Sequence, residues 1–144
     1  MKLYWSLSSD KSGGVVILLD PTKHHDSAPW NPELWTKRVL FVLVEEILVL
    51  SVYTPNDRRE RERFFSELRR YPWSDTAMIL FGDINCVQIP YLDRLNGLRS
   101  GWSESPALIT LLQDLYLEDA TTLAGAAMED EVTDQTEYYT FWTA

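Results

Sequence analysis

The chain has 144 residues, 45% of them hydrophobic and 12% aromatic, enough to fill one domain's core and to exclude disorder as a description of the whole. Thirteen lysines and arginines against 22 acids give a net charge of −9, which speaks against a protein that coats nucleic acid. Seven of those acids, Glu118, Asp119, Glu129, Asp130, Glu131, Asp134 and Glu137, lie in a stretch without lysine or arginine. The remainder is therefore close to neutral, and net charge neither proves nor excludes a phosphate-bearing partner.

The amino terminus mixes Tyr4 and Trp5 with serines and lacks the apolar run of a secretory leader. Residues 2–7 and 15–19 are two strand-like runs around Ser12-Gly13-Gly14, the chemistry of a hairpin. Residues 22–36 carry prolines and tryptophans without a period and are expected to form an ordered loop. Residues 38–44 and 47–53 are apolar runs separated by Glu45-Glu46, which predicts a second hairpin with a two-residue turn. This is the most apolar region of the chain. Its two glutamates and its length exclude a membrane helix.

Asp57 followed by Glu60 is a capping box, and Phe64, Phe65, Leu68 and Tyr71 recur at helical spacing, so residues 57–70 are predicted as a helix stopped by Pro72. Its interleaved charges, Arg61 among them, read as a solvated face. Residues 76–81 have the look of a short buried strand, with Gly82-Asp83 placing Asp83 at its carboxyl end. Ser105-Pro106 opens a second helix to about Tyr116 with a stripe of Leu108, Leu111, Leu112 and Leu115. Residues 138–143 alternate enough for a last strand. The order of elements predicts an α/β fold with a mixed sheet.

Cys86 is the single cysteine, so an internal disulfide and a multi-cysteine zinc site are both excluded. A reducing, intracellular compartment is expected rather than secretion, and the nucleus is compatible with it. Following Asn85 on extended backbone, Cys86 would face away from it, as a buried inert thiol. His24 and His25, in an early loop, read as surface residues, and Trp30 and Trp35 as anchors of core or loop.

Two segments stand at strand ends, where α/β folds present functional loops: Val52-Tyr53-Thr54-Pro55-Asn56 and Phe81-Gly82-Asp83-Ile84-Asn85. An aspartate and an asparagine two residues apart on extended backbone would point the same way and hold one water between a base and a phosphate oxygen. Tyr53 and Asn56 would add neutral donors for oxygens whose charge grows during phosphoryl transfer.

Together with Ser12-Gly13-Gly14-Val15-Val16-Ile17-Leu18, Leu92-Asp93-Arg94 and Tyr139-Thr140-Phe141-Trp142, these motifs resemble the endonuclease/exonuclease/phosphatase superfamily. The Leu-Asp-Arg element favours the endonuclease domains of non-LTR retrotransposons. Ile84 departs mildly from the phenylalanine more usual there. The resemblance implies a partial two-sheet α/β sandwich of the DNase I-like kind, with mixed sheets flanked by helices, as one incomplete domain over residues 1–144. It also implies Mg²⁺-dependent hydrolysis of DNA. Asp83 would orient the attacking water and touch the metal, Asn85 would hold that water, and Tyr53 would contact the scissile phosphate. Asn56, Arg94 and Thr140 would bind phosphate oxygens.

Family members carry a metal-binding glutamate in a segment that would precede Lys2, and a Ser-Asp-His segment that would follow Ala144. The expectation is therefore weak metal binding through Asp83 alone, little or no activity, and self-association through unpaired strand edges. The alternatives are a phosphatase of phosphorylated lipids or small molecules, and a non-catalytic remnant or interaction module.

Overall fold

The computed structural model describes residues 1–6, 14–87 and 104–120. What is expected of Arg94 and Thr140, and of residues 138–143 as a strand, lies outside the described residues. The chain is mixed α/β with two sheets and divides into two compact units, Met1–Pro55 with Tyr71–Asn85 and Asn56–Arg70 with Cys86–Ala144.

In the first unit, β1 (Lys2–Trp5) pairs antiparallel with β2 (Val16–Leu19), which is the expected first hairpin. Ser6 closes its neck, donating its backbone N–H to the Val15 carbonyl at 3.0 Å and accepting the Val15 N–H on its hydroxyl at 3.0 Å. The four-stranded sheet runs β3 (Ser27–Pro29), β4 (Val39–Val44), β5 (Ile47–Tyr53), β6 (Met78–Asp83). β3–β4 and β4–β5 are antiparallel, and β5–β6 is parallel.

The β4–β5 hairpin has the expected two-residue turn, with Val44 opposite Ile47. Residues 22–36 are more regular than expected of a loop: Ser27–Pro29 adds a short strand at the sheet's side, and Pro32–Leu34 forms a 3₁₀ turn. Three residues are too few for a period to declare itself, and Pro29, unable to donate to a ladder, is tolerated at a sheet's margin.

The alternation of β4 and β5 sets the core. Leu40, Val42 and Val44 face the first hairpin and cluster with its Val15 and Ile17, with Tyr4, Leu19, Trp35, Val49 and Tyr53 packed against them. Tyr4 and Lys2 fasten this layer to β3, the tyrosine hydroxyl lying 3.0 Å from the Ser27 carbonyl and the lysine Nζ 3.1 Å from the Ser27 hydroxyl. On the other face Phe41 meets Trp30, Tyr71 and Trp73 edge-on, with centroids 5.5 to 5.6 Å apart. Trp30 thus anchors the sheet, as expected.

β6 departs from expectation. It runs from Met78 to Asp83 rather than from Thr76 to Phe81, and it is not buried: Ile79 is 52% and Phe81 43% exposed. Its register puts Ile79 beside Val49 and Phe81 beside Ser51, on the face that the first hairpin covers. The hairpin's cluster draws on β4 and β5 and includes no β6 residue, so an apolar composition does not become burial. The outer face of that hairpin, Leu3, Trp5, Val16 and Leu18, is likewise about half exposed.

In the second unit, α1 (Arg58–Leu68) starts where its capping box says: Asp57 accepts the Glu60 N–H at 3.0 Å. Its buried stripe is Arg61, Phe65 and Leu68, with Phe64 half-buried, while Tyr71 belongs to the first unit. Arg61 is therefore not part of a solvated face. It lies four and seven residues before the other two stripe positions, and its Nη1 donates to the Asn56 carbonyl at 3.1 Å, tying down the chain that enters the helix. α2 (Pro106–Asp114) is capped by Ser105, which accepts the Leu108 N–H at 3.1 Å, and buries Leu108 and Leu111. The helices are joined by the Ala107 N–H donating to Glu62 at 2.9 Å and by an Arg69–Asp114 ion pair. Among the described residues no helix is long and apolar enough to cross a membrane.

Candidate functional site

The carboxyl ends of β5 and β6 lie side by side because the two strands are parallel. The ladder places Val52 opposite Gly82 and Tyr53 opposite Asp83. Adjacent strands are about 4.8 Å apart and register partners share a face, so the phenol and the carboxylate start from neighbouring backbone positions on one rim.

Gly82 makes this approach possible. Its φ is +132°, and a Cβ there would fall 1.9 Å from the Val52 carbonyl oxygen. Any side chain at this position would push the strands apart, and glycine alone adopts the required backbone at no steric cost.

Beyond the strands, Thr54 stitches the two motif loops together. Fully buried, it donates its backbone N–H to the Asp83 carbonyl at 2.9 Å, and its hydroxyl is shared between the Asp83 carbonyl, at 3.3 Å, and that of Ile84. Its own carbonyl accepts the Asn85 side-chain amide at 2.8 Å. Asn85 has φ +51°, a left-handed conformation that asparagine tolerates better than most residues. Its backbone N–H returns to Asp83 Oδ1 at 3.2 Å.

These bonds correct one premise. Extended backbone through Asn85 would have aimed its side chain alongside that of Asp83; the left-handed turn instead sends its amide to the Thr54 carbonyl. Asn85 holds the loop, and Asp83 keeps Oδ2 without a partner among the described residues.

Tyr53 is half-buried and held on its other side by Arg38. The Tyr53 N–H donates to the Arg38 carbonyl at 2.9 Å, the Arg38 Nη1 donates to the Tyr53 carbonyl at 3.1 Å, and the guanidinium lies 5.2 Å from the centre of the Tyr53 ring. Tyr53, Asp83 and Asn85 are thus brought together. Asn56 belongs to the second unit, where it is exposed and its carbonyl accepts from Arg61. Arg94 and Thr140 lie outside the described residues.

The motifs alone assign no role at the rim to Thr54, Gly82 or Arg38. Arg38 had a signal: a two-residue turn at Glu45-Glu46 makes residue 38 the partner of residue 53 by counting alone. Thr54 had none, since its bonds span about thirty residues.

His24 and Cys86 are both partly buried. His24 Nδ1 lies 3.8 Å from the Glu45 carboxylate, at the start of β5. A seven-residue strand, about 20 Å long, separates that end from Tyr53. Burial pushes the Cys86 thiol up to about 11, against a smaller lowering by Arg61. The side chain is only partly buried, short of the buried thiol expected, and the raised value leaves little of the reactive thiolate at neutral pH.

Among the described residues no three His, Cys, Asp or Glu side chains come together as a metal cage. Mg²⁺ takes six oxygens in near-ideal octahedral geometry, whereas this rim offers one carboxylate with Oδ1 already accepting a backbone N–H. The described residues do not fit a magnesium ion by themselves. No protein-family model, curated protein or solved structure matches the chain at significance.

Proposed function

We propose that the chain carries the phosphodiester-binding centre of a DNA endonuclease domain, of the endonuclease/exonuclease/phosphatase type and in its retroelement-like branch, within a DNase I-like sandwich. The observation that carries the reading is the parallel register of Tyr53 with Asp83, locked by Thr54. It supports a division of labour. The Tyr53 hydroxyl donates to a phosphate oxygen as charge gathers there, the free oxygen of Asp83 orients a water, and Asn85 keeps the Asp83 loop from drifting. Mg²⁺, which the resemblance implies, is not assigned to these residues, and hydrolysis by this chain alone is expected to be slow or absent.

The test is a titration of the ¹⁵N-labelled chain with a short DNA duplex of non-hydrolysable linkages, monitored by amide chemical shifts. Perturbations gathered at Tyr53, Asp83, Ile84 and Asn85 are expected. Saturating duplex that leaves those four amides unmoved overturns the proposal.

A further inference from the structure

We propose that Arg38 is the phosphate-contacting cation of this rim, a role that rests on the nuclease reading and deepens it. The residue sits immediately before β4, where the register that pairs Val39 with Val52 carries on to set Arg38 against Tyr53, just as the next ladder sets Tyr53 against Asp83. Across three neighbouring chain segments the rim therefore reads cation, phenol, carboxylate, in steps of about 4.8 Å. That order suits an oxyanion held between the first two groups and a water held by the third.

Three features separate Arg38 from an ordinary surface arginine. It is half-buried, its guanidinium is parked over the Tyr53 ring at 5.2 Å, and one N–H is committed to the Tyr53 carbonyl at 3.1 Å. Of the five N–H donors of a guanidinium, only that one has a hydrogen-bond partner among the described residues, and no carboxylate there forms an ion pair with it.

A planar cation whose orientation is already set by a ring and a carbonyl has surrendered its rotamer freedom during folding. It loses little more on gripping a phosphate, which is the advantage of arginine over lysine at such a site. The chain's net charge of −9 makes a local cation the more necessary for a polyanionic ligand. A purely architectural role would use the same two contacts but leave the remaining donors idle, and the experiment separates the two.

The affinity of the chain for a fluorescent DNA duplex is measured as a function of salt, for wild type, Arg38→Gln and Arg38→Lys. Each phosphate neutralised contributes about 0.9 to the slope of log affinity against log salt. Arg38→Gln is expected to bind about tenfold more weakly at low salt and to lose about one phosphate's worth of slope. Arg38→Lys is expected to recover the slope but only part of the affinity.

Weaker binding by Arg38→Gln with an unchanged slope would make Arg38 architectural and overturn this inference while leaving the nuclease reading intact. Wild-type chain that shows no salt-dependent binding would overturn the nuclease reading and this inference with it. Should Arg38→Gln fail to fold, the Arg38 side-chain Nε–H resonance of the wild-type chain decides. A shift on adding duplex supports the contact, and a stationary resonance at saturation removes it.

Discussion

At the start of β5 the chain reverses through Glu45 and Glu46, both held at positive φ, 48° and 71°. At its far end the chain is pinned by Thr54 to a strand that carries glycine where Val52 passes. The first end uses residues poorly suited to their backbone. Left-handed conformations cost an ordinary L-residue roughly 1 kcal/mol or more, and Asn-Gly is what such a turn favours. It survives because the register is dictated elsewhere: Leu48, Leu50 and Val52 share one buried face of β5, and a slip of that strand by one residue would turn all three to the opposite face. The second end has no such slack. Its geometry depends on individual atoms, on the absence of a Cβ at residue 82 and on the hydroxyl of residue 54. Where packing over-determines the backbone, composition is free; where two strand ends are joined through individual atoms, it is not.

Substitutions at the two ends should therefore differ in sign as well as size. Gly82→Ala is the severest: a Cβ 1.9 Å from the Val52 oxygen at φ +132° cannot be accommodated without parting β5 from β6. A loss on the order of 3 kcal/mol or more is expected in urea unfolding. A cost under about 1 kcal/mol would mean that the rim is not as tightly joined as the register implies. Thr54→Val keeps the shape and deletes the hydroxyl, leaving the Ile84 carbonyl short of its donor, for about 1–3 kcal/mol. Its amide shifts should change at residues 83–85 and not at the Glu45-Glu46 turn.

The opposite end should improve. Glu45→Asn with Glu46→Gly installs the favoured turn pair and is expected to stabilise by about 1 kcal/mol, read as a higher urea midpoint with an unchanged slope. Destabilisation there would show that the contact of Glu45 with His24 outweighs the strain of the turn.

The smallest effect at neutral pH concerns Cys86, just past the pinned loop, whose thiol is raised from 9.0 to about 11 by burial. A raised thiol keeps its proton in the folded chain at a pH where the unfolded chain has given it up. Stability is therefore untouched below about pH 9 and falls as the pH climbs toward 11. Cys86→Ala should flatten that part of the pH dependence, and an unchanged profile would show that the thiol is not desolvated.

What the amino-acid order determined without help is what depends on near neighbours. The β4–β5 hairpin follows from two apolar runs and a two-residue gap, the start of α1 from Asp57 and Glu60, the start of α2 from Ser105 and Pro106, and the strand-end position of Asp83 from the apolar run before Gly82. Each rests on contacts within a turn or two of chain. Tertiary structure alone decided the rest. Whether Ile79 and Phe81 are covered depends on how far the first hairpin reaches across the sheet. Whether Asn85 continues a strand or turns back depends on a carbonyl thirty-one residues away, that of Thr54. Arg61, alike in composition to its arginine neighbours, is buried because it shares a helical face with Phe65 and Leu68. Local propensity differences amount to about 1 kcal/mol or less per residue, and one buried hydrogen bond or one packed face across the fold is enough to override them.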